Sequence, residues 1–453
     1  MGEGADVDSQ IGVQIELRAD RPVHGGAVLA TSSDGRRIFL RGAAPGELVL
    51  AQVSAEHKTY SWADTIRVLE PSPDRVTGIW PEATAAGAGG LELAHLTPAA
   101  QRTWKEDVLA EQIRRIGGPG LSAQVQKVYP DGVPVEEPQA RDSGLSSTEE
   151  EVTAGTRRRI QLTGMEDGGL GVRRYRSHDL VAVDRVPVAV TPIDDLRLIV
   201  EDPLGVWKSR WADGDRIAIE APTDSDAVVI TPGGTYRFAD GAPVEPVGTW
   251  SVGANGVTHL FHVTSGGFWQ AHTRAPSTLV SAVLEAAEPR PGQIIFELYS
   301  GAGLFSKFLA DAVAPEGQVL TLEGSKRAVA DAHRNLATEV DSGVVETYTG
   351  QVEANAIAEL QSAAKGPVDT VVLDPPRKGA AKGVLAAIAK TSANKVVLVS
   401  CDPAAGARDM RALVDSGFQL ARLRAWDLFP HSHHFETVAE LVRDEQSSLQ
   451  ATV

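Results

Sequence analysis

The sequence predicts an α/β chain: a doubly wound, mostly parallel sheet towards the C-terminus, preceded by a small N-terminal β-barrel and a β-rich middle. Three observations predict it. Residues from about 10 to 72 alternate short apolar runs with glycine-rich turns, the pattern of a small antiparallel barrel. Residues from about 157 to 265 continue as strand-like runs with repeated Gly and Pro and little helical period. From about 275 onward, strands alternate with helices, which implies parallel strands joined by crossovers.

In the barrel, Val13, Ile15 and Leu17 alternate with polar Gln14 and Glu16, the period of a half-buried strand. Asp34-Gly35 and Pro45-Gly46 supply turns, and Pro71-Ser72-Pro73 closes the unit. Barrels of this size often hold oligonucleotides, and a plain structural barrel has the same pattern. A helix is expected over 97–117: Thr97 caps it, Pro98 takes its first position, and Trp104, Val108, Leu109, Ile113 and Ile116 make one apolar stripe before Gly117-Gly118. Residues 130–156 are rich in Pro, Gly, Ser and acid, including Glu149-Glu150-Glu151, and read as a solvated acidic loop. Farther on, 294–298 is a buried strand followed by Gly301-Ala302-Gly303 and a helix from about Leu304. Strands are expected at 319–323, 344–348, 368–373, 395–400, 418–424 and 436–442.

Composition narrows the function classes. A chain of 453 residues with 42% hydrophobic and 23% charged content is that of a soluble protein of two to four domains. It lacks a run of about 18 apolar residues, and its acidic first residues are not those of a signal peptide, so a cytoplasmic monomer without membrane association is expected. One cysteine excludes an intrachain disulfide framework and a multi-cysteine metal site. The net charge of −17 argues against non-specific affinity for nucleic acid. Local basic clusters can override that balance. Candidates are Arg36-Arg37 with Arg41, Arg157-Arg158-Arg159, and Arg173-Arg174 with Arg176.

Candidate chemistry gathers at strand ends. The turn at Gly301 and Gly303 lets backbone approach a ligand closely, and Glu323 ends the next strand, where a carboxylate reaches ribose hydroxyls. A dinucleotide and S-adenosylmethionine both suit this arrangement. Ser306 stands where a third glycine would complete a pyrophosphate-binding loop, which favours the methyl donor. The strand at 368–373 ends in Asp374-Pro375-Pro376-Arg377, with a basic residue where amine-methylating enzymes carry a base-stacking aromatic. Cys401, the lone cysteine, follows the apolar run 395–400, and reads either as a nucleophile or as a small buried hydrophobe. His431, His433, His434 and Glu436 suggest a metal site, but adjacent residues of an extended segment point to opposite faces, so no metal is expected.

Together these segments resemble the RNA uracil-5-methyltransferase family. The matching stretches are Phe268-Trp269-Gln270, Leu298-Tyr299-Ser300-Gly301-Ala302-Gly303-Leu304-Phe305, Asp374-Pro375-Pro376-Arg377, Val399-Ser400-Cys401-Asp402-Pro403 with Ala407-Arg408-Asp409, and the segment from Asp427 to Val438. The N-terminal barrel is similar to the TRAM domain. The resemblance implies an OB-like TRAM barrel at 10–72 that binds RNA, and a central β-rich RNA-binding domain at 73–265 with helix 97–117 against the catalytic domain. It also implies a Rossmann-like S-adenosylmethionine-dependent methyltransferase domain at 266–445. Many members hold an iron–sulfur cluster through four cysteines; those positions are Glu82, Ala88, Leu91 and Val186 in this chain, so no cluster is expected. Asp402 stands where the family usually has Asn, and Gln351 where it has Asn or Asp.

By resemblance, Cys401 is the nucleophile that adds to C6 of uracil and Glu436 the base that removes the C5 proton, with Asp374 beside them at cofactor or base. Gln270, Tyr299, Gly301, Gly303, Glu323, Gln351 and Asp374 would hold S-adenosylmethionine. A thiolate is the reactive form, and backbone N–H groups at the start of the following helix are expected to favour it. The expected activity is 5-methyluridine formation in structured RNA, 23S ribosomal RNA before transfer RNA. A non-catalytic RNA-binding protein with a decayed methyltransferase core is the reading from another class.

Overall fold

The computed structural model describes residues 11–138, 153–175 and 177–443. Contacts divide the chain into two compact units. Of the described residues, one comprises 11–108, 173–175, 177–181 and 429–433; the other comprises 109–138, 153–172, 182–428 and 434–443. The span expected as a separate central domain is thus divided, its first part falling with the barrel and most of the remainder with the C-terminal sheet.

The first unit is built on a closed barrel in the order β1-β2-β3-β5-β4, from β1 (Gln14–Val23), β2 (Ala27–Thr31), β3 (Arg37–Arg41), β4 (Leu48–Glu56) and β5 (Tyr60–Glu70). The pairs are antiparallel except β3 with β5, which is parallel. Alternation in the sequence becomes alternation of faces. Leu17, Ala19, Val28, Ile38, Leu40, Val49, Val53 and Ala63 fill the interior, and their neighbours point out. Gly35 and Gly46 have φ of 83° and 87°, as the turns at Asp34-Gly35 and Pro45-Gly46 require. Glu47 is buried in this unit. Burial alone would raise its carboxyl, but Arg75 at 2.6 Å and the N–H groups of Ala44 and Ser72 outweigh that and hold it below the usual range.

The second unit centres on an eight-stranded sheet in the order β17-β16-β15-β18-β19-β21-β20-β6. Its strands are β6 (Val135–Glu136), β15 (Ile294–Leu298), β16 (Gln318–Glu323), β17 (Val345–Thr349), β18 (Thr370–Leu373), β19 (Lys395–Ser400), β20 (Phe418–Trp426) and β21 (Glu436–Arg443). The run β17 to β19 is parallel, and β21 enters antiparallel between β19 and β20. Every residue of β15 and β18 is buried, as strands covered on both faces must be. The expected doubly wound α/β sheet is therefore observed. Two further strand groups precede it. An antiparallel sheet runs in the order β12-β11-β10-β7-β8, from β7 (Arg159–Gly164), β8 (Leu170–Arg173), β10 (Arg216–Glu220), β11 (Val228–Thr231) and β12 (Gly234–Arg237). β9 (Leu180–Ala182) lies at the sequence boundary of the two units, and β13 (Val247–Ala254) forms a hairpin with β14 (Val257–Thr264).

Two local expectations are corrected. The helix expected over 97–117 is an α-helix over Pro98–Gln112 with Thr97 as its cap, followed by a π-helical turn at Ile113–Gly117 and a second helix at Gly118–Val128. Gly118 adopts a φ of 71° and the next residue is proline, so the pair breaks one helix and starts another. This second helix and the turn before it pack in the second unit. Gln124 Oε1 accepts from Leu420 N at 2.7 Å, and the Ile116 carbonyl accepts from Arg411. The acidic loop expected over 130–156 contributes β6, which pairs with β20 at the sheet edge; residues 139–152 lie outside the described residues. Among the described residues no helix is long and apolar enough to cross a membrane.

Candidate active site

The carboxyl ends of β15, β16, β18 and β19 carry the residues singled out in the sequence, and each strand delivers a turn. After β15 the chain bends through Tyr299, Gly301 and Gly303 with φ of 64°, 57° and 88°. A left-handed conformation at a tyrosine costs energy that its surroundings must offset. Tyr299 N donates to Leu322 O at 2.8 Å, and its phenol oxygen accepts from Ala381 N at 3.3 Å. Burial pushes that phenol up. Glu323, at the end of β16, accepts from Gly301 N at 3.1 Å and Ser325 N at 2.7 Å, so it sets the shape of the glycine turn. A Cβ at Gly301 would meet nothing within 4 Å, whereas one at Gly303 would lie 2.9 Å from Leu336. The first glycine faces open space and the second fits the turn against packed side chains. Gln351 lies beside the turn that follows β16, its amide 3.4 Å from where a Gly324 side chain would start. These residues fit an adenosyl-type ligand, with open space over Gly301 and a carboxylate one strand away.

Asp374 follows β18, with its N–H directed at Leu298 O. Burial raises its carboxyl to about 7. The loop that continues from it is clamped to the helix Pro403–Val414. Ala380 N donates to Asp409 Oδ2 at 2.7 Å, and Arg408 donates to Lys378 O at 2.7 Å. Gly379 has a φ of 78°, and a Cβ there would fall 2.0 Å from Arg408 and 2.5 Å from Asp409. The Arg408-Asp409 pair therefore fixes the Asp374–Gly379 loop.

Cys401 follows β19 and is half-buried. Burial first, then Glu436 and Asp374, push its thiol up to about 12, with Arg377 acting in the opposite sense. The expectation that N–H groups of the following helix favour the thiolate is corrected. Asp402 caps that helix, accepting from Ala404 N at 3.0 Å and Ala405 N at 2.8 Å. The donors are taken, and the cap adds a negative charge next to the sulfur. Glu436 opens β21 opposite Trp426 and one residue from the Ser400–Thr437 pair of β19 and β21. It is 5% exposed, and its Oε2 has no hydrogen-bond partner among the described residues. Burial and the neighbouring Asp374 hold its carboxyl well above the ordinary range. A buried carboxyl with a free oxygen, next to a thiol, is an arrangement for moving a proton.

Two residues of the site were missed in the sequence reading. Glu297, inside β15, is 1% exposed, accepts from Ser306 Oγ at 2.5 Å, and is raised to about 8 by burial, with Asp374 and Glu323 adding to the shift. An acid within the apolar run Ile294–Leu298 was the available signal, and Ser306, noted only as a missing glycine, is its partner. Gln270 is less well connected: its backbone neighbours are held by Arg159 on Trp269 O and by Arg158 N on Ala271 O, and its side chain makes no hydrogen bond among the described residues. The histidines divide. His431 N donates to Gln101 Oε1 at 2.7 Å and His433 faces Glu92 at 3.2 Å, all within the first unit, whereas Glu436 belongs to the second. Among the described residues no three His, Cys, Asp or Glu side chains are grouped to hold a metal ion. Ala88, Leu91 and Val186, which stand at cluster-cysteine positions, are buried apolar residues.

Known proteins resemble this chain over most of its length. Residues 251–444 match the family model of tRNA (uracil-5-)-methyltransferases. An uncharacterized RNA methyltransferase of Streptomyces avermitilis is 34% identical over 460 residues, covering 95% of this chain and 98% of that protein. The 23S rRNA (uracil(1939)-C(5))-methyltransferase RlmD of Shewanella sp. strain ANA-3 is 29% identical, covering 92% and 93%. Among solved structures, the tRNA (uracil-54, C5)-methyltransferase of Pyrococcus abyssi, in complex with S-adenosyl-L-homocysteine, shares the fold with a TM-score of 0.65 at 20% identity, over 94% of this chain and 99% of that one.

Proposed function

The chain belongs to the RNA uracil-5-methyltransferase family, an S-adenosylmethionine-dependent enzyme acting on RNA, and on that premise we propose that it methylates C5 of one uridine in 23S ribosomal RNA. The observation that carries the reading of the site is the pairing of Cys401 with the buried, unpartnered Glu436 at adjacent strand ends. The choice of ribosomal RNA is supported by the similarity to RlmD over 92% of the chain. Transfer RNA is the second reading, favoured by the description of the matching family model.

C5 of uracil is a poor nucleophile until the ring is activated. The half-buried Cys401 thiol gives its proton to solvent, Sγ bonds to C6, and the C5=C6 electron pair moves into a C4–O4 enolate. S-adenosylmethionine, when bound, would supply a methyl group from its positively charged sulfur to C5 of the enolate and would leave as S-adenosylhomocysteine. Glu436 removes the remaining C5 proton, the ring electrons return, and the C6–S bond breaks to release Cys401. Both protein groups act in their deprotonated forms, and both are raised in the free protein. Activity should therefore rise with pH and go on rising towards the Cys401 value of about 12. Tyr299, Gly301, Gly303, Glu323 and Gln351 are proposed to hold the methyl donor, with Asp374 and Gln270 between donor and base.

On the barrel, Trp62 lies opposite Phe39 in the β3–β5 register, ring centroids 5.0 Å apart, and Tyr60 joins Phe39 at 5.2 Å. These half-exposed rings, with Arg41 5.5 Å over Trp62, support the barrel as an RNA-contacting surface on which unpaired bases stack. The test is an RNA carrying 5-fluorouridine at candidate positions. Fluorine cannot leave as a cation, so the enzyme should stop at a covalent adduct stable to denaturant and absent in Cys401→Ser. Cofactor binding without adduct or methyl transfer would favour a decayed RNA-binding core. Adduct with transfer RNA fragments and none with ribosomal fragments would reassign the substrate.

A further inference from the structure

The helix Lys326–Asn335 follows Glu323 and carries three polar side chains at four-residue spacing, Arg327, Asp331 and Asn335. Residues four apart share one face of a helix. That face meets β14 and the turn after it. Asn335 Oδ1 accepts from His262 N at 2.7 Å, Asp331 Oδ2 accepts from Thr264 N at 2.9 Å, and Arg327 donates to Gly266 O at 2.9 Å. Four helical residues rise about 6 Å and two strand residues about 6.6 Å, so the stripe keeps step with alternate residues of the extended chain.

Both ends of the stripe reach beyond the strand. Asn335 Nδ2 donates to Ala302 O at 2.9 Å, so one buried amide holds β14 by its oxygen and the Gly301–Gly303 turn by its nitrogen. At the other end, Gly266 N donates to Glu220 Oε1 at 3.2 Å. Arg159, which faces Glu220 across β7 and β10, donates to Gly267 O at 2.5 Å and Trp269 O at 2.7 Å. Phe268 stands between those two carbonyls, 69% exposed, and Gln270 follows them. Fixing a loop costs backbone entropy, and an exposed phenyl ring returns nothing through burial. Covering the edge of β14 accounts for Asp331, but not for the bond to Ala302 or for Arg327, which acts past the strand end.

We infer that Asn335 and Arg327 are positioning residues: they fix the loop of Phe268 and Gln270 against the Gly301–Gly303 turn, so that target base and methyl donor meet at one set separation. A displacement of about 1 Å between reacting groups can slow a reaction by about 10²-fold, which is the effect such a brace prevents. The inference rests on the uracil-methylating reading of the site. It extends that reading to a helix that carries neither the nucleophile, the base nor a donor-holding residue.

Variants of the full-length protein test the brace. Asn335→Asp keeps an oxygen for His262 N and loses the donor to Ala302 O, and Arg327→Met removes an exposed bond without opening the core. Methyl transfer at saturating RNA should slow about 10- to 50-fold in Asn335→Asp and about three- to tenfold in Arg327→Met. KM for RNA and Kd for S-adenosylhomocysteine should each change less than about threefold, and Arg327→Lys should recover most of the rate. In a Gln270→Ala background either substitution should have less than about a twofold further effect, because it acts through that loop. Losses that add fully to that of Gln270→Ala, or a wild-type rate in both variants, would overturn the inference. So would a weaker Kd for S-adenosylhomocysteine at an unchanged rate, which would make Asn335 a structural part of the turn alone. If the wild-type protein transfers no methyl group, the methylation reading fails, and hydrogen exchange in the free protein still decides the brace. The Gly266 and Gly267 amides should then exchange about tenfold faster in each variant with β15 unchanged, and unaltered exchange there would overturn it.

Discussion

The barrel and the candidate site use charged side chains in opposite ways. In the barrel, carboxylates are matched to guanidinium groups: Glu47 to Arg75, Asp64 to Arg41, and Glu56 to Arg36. The matching satisfies each side chain and holds Glu47 below its ordinary pKa although it is buried. At the strand ends Glu436 and Glu297 are buried and Asp374 is half-buried, and all three are raised. A chain of net charge −17 thus matches its barrel carboxylates to arginines and leaves these three without an ion pair among the described residues. Pairing makes a carboxylate inert, and leaving it unpaired makes it a proton carrier. Two of the basic clusters noted in the sequence follow the structural pattern. Arg159 is consumed by Glu220 and the Trp269 carbonyl, and Arg36 and Arg41 by barrel carboxylates.

The contrast is tested first where the effect is largest. Cys401→Ser should lower methyl transfer by at least about 10⁴-fold, because the weakly nucleophilic hydroxyl leaves the ring unactivated. Methyl incorporation into RNA from labelled cofactor measures it, and activity within tenfold of wild type would exclude covalent catalysis. Glu436→Gln should cut turnover by roughly 10²- to 10⁴-fold and also change its character. The methylated RNA should remain attached to Cys401, and a denaturing gel should show the adduct with ordinary uridine RNA.

On the barrel the expected effects are on binding and not on chemistry. Phe39→Ala with Trp62→Ala should raise KM for RNA about tenfold or more at constant kcat, since stacking contributes about 1–3 kcal/mol per base. A fall in kcat at unchanged KM would show that the strip is not an RNA surface.

The smallest effect is on stability. Burial pushes the Glu297 carboxyl up from its ordinary 4.5 to about 8, so the native state holds the extra proton. Its contribution is intact below the unfolded pKa and is lost as pH rises from about 4.5 through about 8. Glu297→Gln should flatten that part of the stability–pH curve by up to a few kcal/mol. Thermal melts at pH 5 and pH 9 check this, and parallel curves for the two proteins would contradict it.

The sequence was most informative where one physical requirement dominates. Strand ends of the parallel sheet were legible because fully buried strands read as unbroken apolar runs, and Cys401 was visible because an isolated thiol after such a run is conspicuous. Glu297 was overlooked because its meaning depends on Ser306, nine positions away, whose hydroxyl faces it only once β15 and the helix Leu304–Val313 are packed. The helix at Gly118–Val128 was hidden by two glycines and a proline, a combination that signals an ending as readily as a restart.

By itself, the sequence determined the α/β class, the order of barrel and sheet, and the residue types at the strand ends, because these follow from periodicity and local turn chemistry. Tertiary structure decided the electrostatics. Whether a carboxylate is paired and whether an acid lies near Cys401 depend on groups far apart in the chain. Cys401 shows the difference. Its position was readable from residues 395–403, but its resting state as a thiol with a pKa of about 12 is set by burial and by Glu436 and Asp374, which only folding brings to its side.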